Sequence, residues 1–251
     1  DNAVCEGPDP ASVNCLRHIA HGQDISKKLD LLPDAVVRLT VSAIRRGWLA
    51  NRWYGPHVQA LTNRAAFLRA RLNCIDRVLP PTRLMERLLL RNGLDPARAQ
   101  YQPYGLDVSS IRRLTDKGTH PGLRVGFVGT LQEHKGAHLL VEAVRGLPAE
   151  IPIDLVVYGN LEESPAYTAR LRELAGDDPR IRFLGTFPNH EISAVFARFD
   201  VLVVPSIWYE NTPLVIYTAH AAGVPLVVTN LGGMAEAVEA GVNGLLFERG
   251  N

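Results

Sequence analysis

The sequence predicts a two-domain α/β protein whose second half is a doubly wound parallel sheet. Three observations carry this expectation. Short β-branched apolar runs alternate with helical patterns through the second half. Those runs are continuously apolar, as strands covered on both faces are, rather than alternating. Charge also divides the chain, with 18 Lys and Arg against 11 Asp and Glu over residues 1–120, but 9 against 15 over 121–251. The total of 251 residues with 46% hydrophobic side chains is that of an ordinary globular chain and excludes collagen, coiled coil and acidic tails.

The elements follow in order. A loop-like opening runs to about Gly22, and helical patterns rich in Arg follow over 34–52 and 56–72, carrying Trp48, Trp53 and Tyr54. A short strand is expected at 73–80, a helix at 82–93 closed by Gly93, and a strand at 99–105, together the tail of a second α/β domain. The stretch 107–122 holds Gly, Pro, Ser and Thr without periodicity and reads as a connection. Strands are then expected at 124–129, 153–159, 181–185, 200–205 and 224–229. Helices alternate with them at 136–147, 165–175, 190–199 and 213–223. This gives a partial domain over 1–110, a linker over 111–121 and a ligand-binding domain over 122–251. No apolar run approaches the ~20 residues of a membrane span, and DNAVCEGPDP has neither the basic start nor the apolar middle of a signal peptide. Three cysteines point to a reducing cytoplasm. The opening on Asp1 rather than Met reads as a piece of something longer.

Three strand-to-helix junctions have the composition of anion sites, at the strand ends where doubly wound sheets bind ligands. In GTLQEHKG (129–136), free amides, a helix start and the Lys135 ammonium converge on one phosphate; a solvated Lys explains the same residues equally well. In PSIWYENTPLV (205–215), Thr212 is expected as N-cap and Pro213 as the first helical residue. Glu210 just ahead of them has no structural task at the end of a buried strand except to accept hydrogen bonds; a surface-loop Glu is the alternative. In TNLGGMAEAV (229–238), Gly232 and Gly233 allow close backbone approach, and a plain turn accounts for them too.

The run from VGTLQEHKGAHLLVEAV through PSIWYENTPLVIYTAHAAGVPLVVTNLGGMAEAVEAGVNGLLF resembles the nucleotide-sugar-binding domain of family 4 (group 1) glycosyltransferases with the GT-B fold, over essentially all of 122–251. DRVLPPTRLMERLLLRNGL and YQPYGLDV resemble the close of that family's acceptor domain. The resemblance implies a truncation at both ends, with early strands of the acceptor domain and the closing helices missing. It further implies retaining transfer of a hexose from a UDP- or GDP-sugar to a lipid-linked or polysaccharide acceptor in bacterial envelope or exopolysaccharide synthesis. No metal or other cofactor is required, and no DxD motif occurs. By the same resemblance, Lys135 neutralises the departing diphosphate, Glu210 accepts the donor sugar's hydroxyls, and Gly129, Thr130, Asn211, Thr212, Pro213, Leu214 and Thr218 complete the donor site. The sequence departs from the family's pattern twice: Thr130 stands where an Arg is common, and Thr218 stands where a second Glu would take both ribose hydroxyls. A non-catalytic nucleotide-sugar-binding protein and a nucleotide-sugar 2-epimerase of the same fold are the competing classes.

Cys5, Cys15, His18 and His21 have zinc-ligand chemistry but poor spacing for it. Cys74 is expected as a buried thiol, and His134 and His190 as solvated side chains. The Arg and Trp residues of 38–54 fit either a core packing or a peripheral contact with the inner face of a membrane. No nucleic-acid-binding motif occurs.

Overall fold

Six parallel strands form one sheet in a computed structural model that describes residues 32–46, 48, 55–113 and 118–250. The strands are β1 (Leu123–Val128), β2 (Ile153–Tyr158), β3 (Ile181–Gly185), β4 (Val201–Val204), β5 (Leu226–Thr229) and β6 (Gly244–Phe247). Their order is β3-β2-β1-β4-β5-β6 and every ladder is parallel. Winding therefore reverses between β1 and β4, and the carboxyl ends of those two strands are where doubly wound sheets form their binding crevice. The first five strands match the expected ones to within two residues at each end. The sixth was not expected, because four residues flanked by glycine-rich turns are too short to show a period.

The described helices are α1 (Asp34–Arg45), α2 (Gly55–Leu72), α3 (Arg83–Arg91), α4 (Ala137–Gly146), α5 (Pro165–Ala175), α6 (Ile192–Phe196), α7 (Leu214–Ala222) and α8 (Gly232–Glu236). Successive residues of a strand point to opposite faces, and β2 shows the result. Leu155 and Val157 join α4 and α5 in one core, with Val141, Val144 and Leu171. Val156 and Tyr158 join α6, α7 and α8 in the other, with Phe196, Ile216 and Met234. Gly126 in β1 is required on that second face, since a methyl group there would lie 2.6 Å from the Phe199 ring. Burial on both sides is why the middle of these strands is apolar at consecutive positions, with charges such as Arg124, Asp154 and Arg182 kept to their amino ends.

Two compact units divide the chain, one of residues up to 80 with 86–100, the other of 81–85 with 101–251. In the second, Ser193 ties down the start of the expected linker: its hydroxyl donates to the Ser110 carbonyl and accepts the Arg112 amide. In the first unit the expectations need correction. The strands expected at 73–80 and 99–105 reduce to one parallel bridge between Val78 and Ala99. Two parallel segments with no third strand among the described residues bury too little to hold a longer ladder. Cys74 is exposed, its thiol donating to the Ala70 carbonyl at the end of α2, because the strand meant to bury it is absent. The first helix ends at Arg45 rather than 52, and Trp48 beyond it is 74% exposed, with the Arg46 guanidinium 5.3 Å over its ring. Helix α3 ends as expected: Gly93 (φ 92) lets the Leu94 and Gly93 amides reach the Leu89 and Leu90 carbonyls. Cys5, Cys15, His18, His21, Trp53 and Tyr54 lie outside the described residues. Among the described residues no helix is long and apolar enough to cross a membrane, and no three metal-ligating side chains cluster.

Candidate active site

The loops leaving β1 and β4 are tied to each other at the crevice. After β1, the Gly129 amide continues the ladder to the Tyr158 carbonyl, Leu131 is buried, and a single 3-10 turn over Glu133–Lys135 ends at Gly136. Gly136 has φ 75, and any side chain on it would run into the Pro205 carbonyl oxygen after β4. Only glycine allows the two loops to approach this closely. The His134 carbonyl then accepts both the Ser206 hydroxyl and the Ile207 amide, each at 2.9 Å. Ser206 is wholly buried, and the bond it makes to His134 is part-buried.

That tie brings two side chains 75 positions apart into contact, with Lys135 Nζ lying 2.7 Å from Glu210 Oε2. The Lys135 side chain is 25% exposed and that of Glu210 12%. The second carboxylate oxygen, Oε1, is buried and has no hydrogen-bond partner. A carboxylate held out of water with one oxygen unsatisfied is costly, and binding sites are where such a cost is retained.

The third junction closes behind Glu210. The Gly233 amide donates to the Glu210 carbonyl at 3.2 Å, and a side chain on Gly233 would collide with the Asn211 carbonyl oxygen. The glycine pair therefore serves close approach. This contact also corrects the expected cap of α7. Thr212 turns its hydroxyl to the Gly233 carbonyl at 3.2 Å instead of capping, and Pro213 occupies the N-cap position ahead of Leu214. The hydroxyl thus donates to a tertiary carbonyl, and Thr212 lies one residue ahead of the cap. Among the described residues no side-chain cap takes up the first-turn amides of α7, which leaves donors for an anion.

Residues 122–251, just over half of the chain, match the family described as glycosyl transferases group 1. The chain belongs to that family. Curated relatives are D-inositol 3-phosphate glycosyltransferases, from Corynebacterium efficiens (34% identical over 61% of this chain and 40% of the relative) and from Mycobacterium bovis (28% identical over 80% and 48%). The chain thus spans less than half the length of these relatives. Among solved structures, sucrose-phosphate synthase from Thermosynechococcus elongatus is similar at TM-score 0.63 and 25% identity, over 75% of this chain and 49% of that one. Anabaena HepE in complex with UDP-glucose has TM-score 0.64 at 20% identity, over 96% and 69%. The fold is that of GT-B glycosyltransferases.

The remaining residues expected at a donor site of this group 1 glycosyltransferase take the following places. Gly129 has room above it, where a methyl group would touch only the Phe127 ring at 3.5 Å. Thr130 and Leu214 are exposed. Asn211 donates to the Tyr104 hydroxyl at 3.4 Å. Thr218 is buried one turn into α7, and its hydroxyl donates to the Leu214 carbonyl at 3.1 Å, so its proton is already engaged within the helix. His190 is well exposed on its helix start. Asn189 opens a 3-10 turn behind Pro188.

Sequence reading missed three contributors. Ser206 carried a weak signal, a hydroxyl closing an apolar strand. Glu236 accepts the Arg83 and Leu84 amides at 2.6 and 2.7 Å and so caps α3 across 152 positions, with no local sign. Buried His138 has its Nδ1 2.7 Å from the Tyr167 hydroxyl, which also accepts the His138 amide in the first turn of α4. Burial, then the nearby Arg170 charge, lowers the His138 pKa, and burial raises that of Tyr167. Both are neutral near pH 7, and they fix the helix that follows Lys135.

Proposed function

We propose that this glycosyltransferase moves a hexose, with retention, from a UDP- or GDP-sugar to a lipid-linked or polysaccharide acceptor, without a metal. The observation that carries this reading is the 2.7 Å contact of Lys135 with Glu210 at the reversal point of the sheet. The solved HepE complex with UDP-glucose supports a nucleotide-sugar donor. As the glycosidic bond breaks, negative charge grows on the diphosphate and positive charge on the sugar ring. Lys135 meets the first with a fixed ammonium, doing what a divalent cation does elsewhere, and the α7 amides from Leu214 onward add their dipoles. Glu210 accepts the sugar's hydroxyls and orients the ring. Thr130 and Thr218 supply neither a second cation nor a bidentate acceptor for the ribose, so nucleotide affinity is expected to be about tenfold or more below that of a site with both.

The curated relatives favour a second acceptor class, a phosphorylated inositol. Incubating full-length protein with labelled UDP- and GDP-sugars and each acceptor class decides between them. Transfer with retained anomeric configuration in the presence of a chelator supports the reading. Binding without turnover indicates a scaffold, 2-epimerised sugar indicates an epimerase, and inverted product overturns the mechanism. Exposed Trp48 beside Arg46 supports a peripheral contact with an anionic membrane. Co-sedimentation with anionic but not neutral vesicles is expected, and equal recovery with both would refute the contact.

A further inference from the structure

Before any donor arrives, Lys135 and Glu210 already occupy each other. The ammonium spends one of its donors on Glu210 Oε2 at 2.7 Å, while Oε1 stays buried and unpartnered. Taking the counter-ion from a desolvated carboxylate costs more than the intact pair contributes, because the remaining charge is left without compensation. A diphosphate that draws Lys135 away therefore strands Glu210. Two sugar hydroxyls donating to Oε1 and Oε2 would relieve the penalty, and a nucleoside diphosphate without its sugar has none to offer.

The backbone offers no other escape. Ser206 and Ile207 hold the His134 carbonyl, Gly136 lies against Pro205, and Gly233 lies against Asn211. The loops on both sides of the pair are pinned, so the exchange falls to the side chains, and the four-carbon stem of Lys135 is the flexible partner. Among the described residues, Lys135 is the cation that Glu210 pairs with.

Resting on the donor reading above, we propose that the Lys135–Glu210 pair is a selection device that makes the site prefer the glycosylated nucleoside diphosphate over the free one. Diphosphate and sugar hydroxyls bind cooperatively because one ion pair must be exchanged for two contacts. Once the sugar has left, Glu210 recaptures Lys135 and helps release the spent nucleotide.

Calorimetric titration of free UDP and GDP, and of UDP-glucose and GDP-mannose, into full-length wild type, Glu210→Gln, Glu210→Ala and Lys135→Ala tests this. Removing the Glu210 charge is expected to tighten binding of the free nucleotide by about tenfold and to lower the preference for the glycosylated form by at least as much. Lys135→Ala is expected to weaken free-nucleotide binding by about tenfold. Two Glu210 variants, each checked by thermal melting, guard against one that fails to fold. If free-nucleotide affinity is unchanged or weaker in both, while Lys135→Ala still weakens it, the exchange is wrong and the donor site stands. If Lys135→Ala leaves nucleotide binding untouched, or wild type binds none, the donor reading falls and the selection device with it.

Discussion

An ion pair lies beyond each end of the neighbouring strands β1 and β4, and the two pairs are built differently. At the amino ends, Asp200 accepts the Arg124 amide, Nε and guanidinium at 2.9, 3.0 and 2.6 Å, and returns its own amide to the Arg124 carbonyl. The Asp200 side chain raises the Arg124 pKa further by hydrogen bonding. At the carboxyl ends, Lys135 and Glu210 make one contact and leave an oxygen unsatisfied. A pair whose bonding capacity is used up fastens strands; one with capacity in reserve is ready for a ligand. On the proposed reading, the contrast separates structural from functional charge within a single sheet.

Four measurements break or sharpen this contrast. The largest effect is expected from Gly136→Ala, which puts a side chain at φ 75 into the Pro205 carbonyl. A loss of at least about 3 kcal/mol, ~6 °C or more in Tm, follows if the loops are tied as described, and an unchanged melting curve would untie them. Asp200→Ala leaves the guanidinium of Arg124 without its carboxylate and should cost about 2 kcal/mol by denaturant titration, with nucleotide affinity preserved. Equal damage to binding would erase the distinction between the two pairs. Lys135→Ala should reduce donor turnover at least about tenfold, and should also lower Tm, because Glu210 is left buried without its counter-ion. Full turnover would remove Lys135 from the chemistry.

The smallest effect concerns a third pair, away from the crevice. Arg180 donates to Asp178 and to the Val144 and Pro148 carbonyls, and its hydrogen bonds lower the Asp178 pKa from 3.8 to about 2. A carboxylate whose pKa is depressed in the folded state contributes stability above its unfolded value and loses it as pH falls through the folded one. Tm should therefore drop between about pH 4 and pH 2 in wild type, and that part of the profile should flatten in Asp178→Asn. Superimposable profiles would show the pair to be inert.

Legibility followed the range of each interaction. The five expected strands were readable because continuous burial writes itself into consecutive residues. The first unit misled where local pattern lacked a partner: NCIDRVLP has the composition of a strand, yet only Val78 finds one. Thr212 has the right chemistry for a cap, yet Pro213 takes that position and the Thr212 hydroxyl turns to a carbonyl 21 residues away. Glu236 and Ser206 gave little sign, since each acts on a backbone group distant in sequence.

The amino-acid order by itself determined the alternation of strand and helix, the glycines at crowded turns, and an ammonium and a carboxylate just beyond two strands. Those follow from hydrophobic period and backbone sterics, which act over a few residues. Only the tertiary structure decided that β1 and β4 lie side by side, so that Lys135 meets Glu210 and one carboxylate oxygen is left buried and free. Strand order is set by packing summed over the whole sheet, and a contact between residues 75 apart exists only once that order is chosen.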